Sequence, residues 1–361
     1  MSRVVLQLFV CVAFTAMRAD GGEAPGRGAH DPSTGSGAIE CRVEPKAFNP
    51  TAGGKAVFRF KLPDVNQAKV WLVDPLGRIV ATVKATGPDA KGVFEGTWNG
   101  RGEDGAVAPD DAYCYLPVPS EARPPEGGLP KLPLEGGARL KCRETAYDPK
   151  TGKISYLLPE AGRVRIRVGV KEGPVLRTLL DWAAQPAGRH AIVWDGKDSS
   201  GLAWSSERCT PHIWAYSLPG NCVITHGGPL PEYPAYVEYF VEPSVEDPEY
   251  HAKHARQVCH EPRFSVTFPG ISTKDGGLKA ANGRLPVRVE LDPRDRRALI
   301  ASLFEVVFYV DGVFFFEDSN ATDPLTCTLD LRKLGEGTHV LTVQIMDYEG
   351  HIASHSFEII I

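Results

Sequence analysis

The octets WNGRGEDG at 98–105 and WDGKDSSG at 194–201 repeat one pattern at positions that differ by 96 (194 minus 98). Each octet begins with tryptophan, continues with Asn-Gly or Asp-Gly, and ends on glycine. These dipeptides favour tight turns because both of their residues tolerate positive φ. The repeat predicts a duplicated structural unit in which each octet is a hairpin corner and its tryptophan lies in a core. The predicted structural residues of the corners are Trp98, Gly100, Gly105, Trp194, Gly196 and Gly201.

The segments that flank the octets alternate between apolar and polar residues. VFRF at 57–60 and VRIR at 164–167 show the period of two that is typical of half-buried strands. The 37 glycines and 30 prolines fit many short strands joined by tight turns. Together these features predict an all-β protein.

The order of elements around each octet resembles a known family. A strand ending at Leu-Pro-Asp or Leu-Pro-Glu, a second strand, a glycine turn, the octet and a tyrosine-bearing strand resemble the FlgD-type immunoglobulin-like repeat. This repeat is named after the flagellar hook-capping protein and occurs in many secreted bacterial proteins. The resemblance covers roughly 45–117 and 147–219 and implies two β-sandwiches. Asp111 and Ala112 replace the usual glycine before Tyr113, and the second copy carries an insertion, WSSERCTPH, at 204–212.

The C-terminal region resembles a different bacterial immunoglobulin-like module. The resemblance rests on two segments, FEVVFYVDGVFFFED at 304–318 and GEGTHVLTVQIMDYEG at 335–350. The chain is therefore predicted to contain three immunoglobulin-like β-sandwich modules in tandem. The predicted divisions are a signal peptide at 1–19, a flexible leader at 20–37, module 1 at 38–118, a Pro/Gly linker at 119–138, module 2 at 139–226, a Pro/Tyr/His-rich connection at 227–262 and module 3 at 263–361.

The N-terminus has the features of a secretory signal peptide. Arg3 precedes a short apolar run at 4–16, and small residues follow, with cleavage expected near Ala19. The mature chain is thus predicted to be secreted or periplasmic and to contain no membrane span. A net charge of −5 and a pI near 6.1 give no electrostatic support for nucleic-acid binding.

The predicted mature chain contains seven cysteines (eight in the chain, less Cys11 in the signal peptide). Some of them should pair in an oxidising compartment, and the odd number leaves at least one free. Cys209 and Cys222 are the favoured pair because they flank the strand-like run PHIWAYSLPG at 211–220. The other pairings stay open.

One segment carries residues with metal-ligand chemistry. HAKHARQVCHEP at 251–262 contains imidazoles and a thiol, which are ligands for zinc or copper. Its spacing matches no standard zinc finger, and a linker helix with solvated histidines is the alternative. The loop acids Glu103, Asp104, Asp195 and Asp198 suggest calcium or, alternatively, ordinary turn formation. The candidate metal ligands are His251, His254, Cys259 and His260.

Two further groups suggest contact surfaces. Arg163, Arg165 and Arg167 should share one side of a strand, either as an anion-binding surface or as a solvated face. Phe314 and Phe316 should point away from Phe315, either into a core or into a contact with a partner.

These observations predict a secreted, non-catalytic binding or scaffold protein of the bacterial cell envelope, with protein or glycan partners and no cofactor. The chain lacks the Gly-x-Ser-x-Gly, His-Glu-x-x-His, phosphate-loop and Cys-x-x-Cys motifs. Two alternatives are a redox or hydrolytic metal protein that uses the 251–260 segment and an accessory subunit of a secreted enzyme complex.

Overall fold

A computed structural model describes residues 41–75, 77–124, 139–218, 220–229, 261–271, 273–274, 277–280, 282–347 and 350–361. The regular secondary structure of these residues consists of β-strands, apart from one α-helix and one short 3-10 helix at Ser206–Arg208. The fold is therefore all-β, as the alternation of apolar and polar residues predicts. Within the same ranges no helix is both long enough and apolar enough to cross a membrane.

The first sandwich begins with seven strands: β1 (Cys41–Glu44), β2 (Ala47–Phe48), β3 (Ala56–Lys61), β4 (Ala68–Val73), β5 (Ile79–Thr86), β6 (Val93–Trp98) and β7 (Ala112–Pro119). Along β3, Phe58 and Phe60 are buried in the core. Arg59 between them is exposed, and its Nε donates to Glu95 Oε2 at 2.8 Å. This alternation explains why β3 is a strand with one face on the core.

The second sandwich has seven strands: β8 (Arg139–Leu140), β9 (Arg143–Asp148), β10 (Lys153–Leu158), β11 (Gly162–Val170), β12 (Val175–Gln185), β13 (Gly188–Val193) and β14 (Cys209–Ser217). The strand orders are β13-β10-β9 in one sheet and β12-β11-β14-β8 in the other. Ile154 and Leu158 from the first sheet and Ile166 from the second meet in one core.

The chain then returns to the first sandwich. Strand β15 (Cys222–Thr225) pairs antiparallel with β7 and parallel with β2. It completes an eight-stranded set in the order β1-β3-β6-β5-β4-β7-β15-β2. The predicted division that assigned 139–226 to module 2 therefore included a strand of the first sandwich. Local sequence patterns specify that a segment is a strand but not which distant edge it joins.

The third sandwich has nine strands: β16 (Phe264–Thr267), β17 (Thr273–Lys274), β18 (Gly277–Lys279), β19 (Arg284–Leu291), β20 (Phe304–Val310), β21 (Val313–Asp318), β22 (Leu325–Asp330), β23 (Thr338–Asp347) and β24 (Ile352–Ile360). Its sheets have the orders β16-β19-β22 and β17-β18-β24-β23-β20-β21. Helix α1 (Pro293–Ala301) follows Asp292, whose side chain accepts from Arg294 N as an N-cap. A third hydrophobic cluster, which includes Leu285 and Phe308, lies between these sheets.

The two octets form corners with the same hydrogen bonds. Trp98 Nε1 donates to Arg101 O at 2.9 Å, and Trp194 Nε1 donates to Lys197 O at 2.7 Å. Both tryptophans are 2% exposed. Equivalent backbone bonds close the two corners, from Ala108 N to Gly100 O, from Trp204 N to Gly196 O, from Gly105 N to Gly102 O and from Gly201 N to Asp198 O. The repeated octet is thus a repeated architectural corner.

Candidate functional site

Three acids of the octet corners, Asp104, Asp195 and Asp198, accept hydrogen bonds from backbone N–H groups of their own turns. Asp198 is 2% exposed; its Oδ1 accepts from Ser200 N and Leu202 N, both at 2.9 Å, and its Oδ2 accepts from Trp204 Nε1 at 2.9 Å. A hydrogen bond from Lys197 N lowers the pKa of Asp195, and Arg177 lowers it further. Turn formation accounts for these carboxylates. The described residues contain no group of three or more His, Cys, Asp or Glu side chains placed to hold a metal.

The arginines of β11 are buried. Arg163, Arg165 and Arg167 are 6%, 7% and 7% exposed and project from the side of β11 that faces away from the core of the second sandwich. The sequence suggested either an exposed anion-binding surface or a solvated face, and both alternatives are wrong because the three side chains are buried. Sequence periodicity placed them correctly on one side of a strand, but it could not show that other sandwiches cover that side.

The three guanidinium groups connect the sandwiches. Arg163 Nη2 donates to Asp111 Oδ1 of the first sandwich at 2.7 Å. Arg165 Nη1 and Arg167 Nη2 donate to the carbonyl oxygen of Gly350 in the third sandwich at 3.2 and 2.8 Å. Arg165 also lies over the Trp182 ring, 4.4 Å from its centroid. We call Arg163, Arg165 and Arg167 the arginine stripe. It forms an internal junction between the second sandwich and the other two.

Additional polar contacts join the second and third sandwiches. Gln344 Oε1 accepts from Val175 N at 2.8 Å, and Ser354 Oγ donates to Val175 O at 2.6 Å. Arg208 Nη2 donates to Asp311 O at 2.8 Å. The contact from Arg208 holds the Asp311-Gly312 turn, and with it the start of β21, beside the second sandwich.

The favoured cysteine pair is separated in the structure. Cys209 is buried in the core of the second sandwich, opposite Val170 in the strand register. Cys222 lies in β15 of the first sandwich, opposite Cys114. Pairing of Cys209 with Cys222 is therefore wrong, because the two ends of the 211–220 run enter different sheets. Neither residue is in a disulfide in this structure.

Several predicted features fall outside the described residues. They are the signal peptide at 1–19, the leader at 20–37, most of the linker at 119–138 and the segment that contains His251, His254, Cys259 and His260. The proposal of a metal site in that segment stays a prediction from sequence.

The exposed apolar side chains of β21 form the best candidate contact site. Val313, Phe314 and Phe316 are 66%, 54% and 41% exposed. Phe315, which lies between the two exposed phenylalanines, packs against the core of the third sandwich. A register shift between β20 and β21 separates the Phe308–Phe316 and Tyr309–Phe314 pairs, and it places an extra residue in β21.

The position of β21 at the end of its sheet adds backbone groups to this surface. Strand β20 pairs with one edge of β21, and no strand within the described ranges pairs with the other edge. An edge strand presents N–H and C=O groups that can pair with another chain. We define the edge surface as Val313, Phe314, Phe316 and the outer edge of β21. Sequence patterns identified its phenylalanines but not Val313, whose exposure depends on the edge position.

Acidic side chains lie at the far end of the same hairpin. Glu317 is exposed in β21, and Glu305 is half-buried in β20. Burial raises the pKa of Glu305, and the nearby charge of Glu317 raises it further. An approaching positive charge would relieve this repulsion. The apolar side chains and backbone hydrogen-bonding groups of the edge surface therefore lie on a hairpin whose far end is negatively charged.

Comparisons with known proteins give only distant likenesses. No protein-family model matches the chain, and no curated protein matches it. The chain is similar to the solved structure of a tetra-tandem repeat from the extending region of a large adhesion protein, with 14% identity and a TM-score of 0.17 over 89% of this chain and 74% of that one. It is also similar to a bacterial ice-binding adhesin, with 13% identity and a TM-score of 0.18 over 89% of this chain and 96% of that one.

A third similar structure is trypsin-activated alpha-2-macroglobulin from Escherichia coli, with 11% identity and a TM-score of 0.21 over 90% of this chain and 23% of that one. TM-scores this low do not indicate a shared overall arrangement. The fold described above therefore rests on the strands and cores of this chain itself, and the FlgD-type resemblance stays a prediction from its sequence motifs.

Proposed function

We propose that this protein is a secreted or periplasmic, non-catalytic binding protein built from three immunoglobulin-like modules. The three hydrophobic clusters support the number of modules. The buried arginine stripe and the loop carboxylates support a non-catalytic role, because these polar groups hold the chain together. The polar contacts between sandwiches favour a scaffold that presents its surfaces in a defined arrangement.

The edge surface is the proposed binding site, and the exposure of Val313, Phe314 and Phe316 on an edge strand is the observation that carries this proposal. Its partner is an extended segment of another protein that adds a strand beside β21. Main-chain hydrogen bonds would supply affinity in this mode, and alternate side chains would supply specificity. The partner segment would carry apolar residues near the phenylalanines and a Lys or Arg near Glu305 and Glu317.

Site-specific cross-linking tests this proposal. A photo-reactive amino acid replaces Val313 in the full chain, and the native envelope fraction supplies the partner. A matched control variant carries the same amino acid at Val193, which is 64% exposed in the second sandwich. We expect one protein to be captured from position 313, in a stoichiometric amount, and not from position 193.

Substitutions at the edge surface complete the test. Phe314→Ser with Phe316→Ser should weaken capture at least about tenfold, since exposed anchor residues dominate interface energies. Val193→Ser should leave capture unchanged. Capture that persists in the double variant would overturn the assignment of the site. Retention of a glycan, with no protein captured, would overturn the assignment of the partner class.

A further inference from the structure

We propose that Cys114 and Cys222 form a disulfide bond that fastens the returning strand β15 to β7. The two residues face one another in the antiparallel register, and their Sγ atoms lie 3.3 Å apart. Both side chains are 3% exposed. The proposed bond is independent of the binding role of the edge surface.

The register of β7 and β15 places the two cysteines at a position suited to a bond. Tyr115 N donates to Asn221 O at 2.9 Å, and Thr225 N donates to Asp111 O at 2.9 Å. In β7, the odd-numbered residues are therefore the ones that form hydrogen-bonded pairs with β15. Cys114 and Cys222 form a non-hydrogen-bonded pair between them, where side chains approach more closely. Their α-carbons should then lie in the range that a disulfide requires.

Neighbouring contacts hold β15 in this register. Tyr115 Oη and Lys46 Nζ both donate to Gly220 O, at 3.0 and 2.5 Å, just before the strand. Thr225 Oγ1 donates to Pro109 O at 2.7 Å at its other end. With both ends fixed, a slip that would separate the two sulfur atoms is disfavoured.

Oxidation would proceed by thiol–disulfide exchange with an external disulfide, such as oxidised glutathione. The Cys114 thiolate attacks one sulfur of that disulfide, and the first thiolate leaves. The Cys222 thiolate then attacks the Cys114 sulfur, forms the new S–S bond and releases the second thiolate. The two cysteines lose two electrons and two protons in total, and the external disulfide becomes two thiols.

The burial of the two thiols fixes when the exchange takes place. Because both side chains are inaccessible in the folded chain, the first exchange must precede the docking of β15. The bond then forms as β15 settles beside β7.

The bond would close a loop that contains the whole second sandwich. Cys114 and Cys222 are 108 positions apart in sequence. Cross-linking residues so far apart removes much of the conformational freedom of the unfolded chain. The disulfide would therefore keep the second sandwich attached to the first at both of its ends.

Peptide mapping tests the proposal. The full chain is exported to the oxidising periplasm of an expression host, alkylated in denaturant without reductant, and digested with chymotrypsin. Cleavage after Trp214 and Tyr216 separates Cys209 from Cys222, and cleavage after Tyr113 and Tyr115 isolates Cys114. We expect a linked peptide pair that is lighter by two hydrogen atoms than the separate thiol peptides. Alkylated Cys114 and Cys222, or a link from either one to another cysteine, would overturn the proposal.

Denaturation provides a second readout. Reductant should lower the midpoint of guanidinium unfolding of the exported protein. Reductant should not change the midpoint of the double variant Cys114→Ala with Cys222→Ala. It should lower the midpoint of the Cys209→Ala variant as much as that of the unsubstituted chain. A reductant effect that survives in the double variant would contradict the assignment. If the double variant does not fold, the peptide map of the unsubstituted chain decides alone.

Discussion

Arg163 of the second sandwich and Asp111 of the first form an ion pair, with Nη2 and Oδ1 at 2.7 Å and both side chains buried. Asp111 lies directly before β7, so the start of this strand receives an arginine from the neighbouring sandwich. This pair joins two units whose contact no motif in the sequence indicates.

Breaking the buried ion pair should destabilise the protein. We expect Asp111→Ala to lower the free energy of unfolding by about 3–5 kcal/mol, because it leaves the Arg163 charge buried without its carboxylate. Glu95→Ala removes the exposed pair with Arg59 and should change stability by less than about 1 kcal/mol. Guanidinium unfolding followed by tryptophan fluorescence measures both. Equal midpoints for the two variants would contradict the junction described here.

The pairing of His339 with Asp311 should make the third sandwich sensitive to pH. Asp311 Oδ2 lies 2.7 Å from His339 Nδ1, and this hydrogen bond, aided by the one to Gly335 O, raises the pKa of His339 above its ordinary value of 6.5. A raised pKa means that the folded state holds the proton more tightly than the unfolded state. The stabilisation is therefore complete below the unfolded pKa and disappears as the pH rises through the folded pKa.

The thermal midpoint of the full chain, measured through that pH window, checks this effect. We expect a loss of less than about 1 kcal/mol on the alkaline side, since His339 is partly exposed. His339→Gln should flatten this part of the pH profile. An unchanged profile in the variant would show that another group is responsible.

The glycines of the first octet should differ in their tolerance of a side chain. Gly100 has φ of +75°, and a Cβ there would clash with the ring of Pro50. Gly105 has φ of +79°, but a Cβ there meets no atom within 4 Å. We expect Gly105→Ala to be destabilising by about 1–2 kcal/mol from backbone strain alone. Gly100→Ala should lower the unfolding midpoint further, and a ranking in the opposite order would refute the corner geometry.

Substitution of the exposed phenylalanines should not unfold the protein. Phe314→Ser with Phe316→Ser should lower the free energy of unfolding by only about 1–2 kcal/mol, because both side chains are about half exposed and bury only part of their rings against Tyr309 and Phe308. Replacing the neighbouring core residue instead, Phe308→Ala, should be destabilising by about 3–5 kcal/mol. A large loss of stability in the double serine variant would mean that these side chains are structural and not a contact surface.

The candidate site was predictable in part. The run of three phenylalanines after an Asp-Gly turn indicated a strand with aromatic residues on both faces, and the structure exposes Phe314 and Phe316 while Phe315 packs inward. The sequence could not show that β21 is an edge strand, because edge position depends on where β20, β23 and β24 pair. For the same reason it could not show that Val313 is exposed.

Features that depend on neighbours along the chain could be predicted from the sequence. Apolar and polar residues alternate because one face of a strand is buried, and the octets are corners because Gly100 and Gly196 adopt positive φ, which glycine does at little cost. The pairing of Cys222 with Cys114 and the burial of the β11 arginines became visible in the folded structure alone. Contacts of this kind join segments that are distant in sequence, so their partners depend on how whole sheets pack and are not recorded in any local pattern.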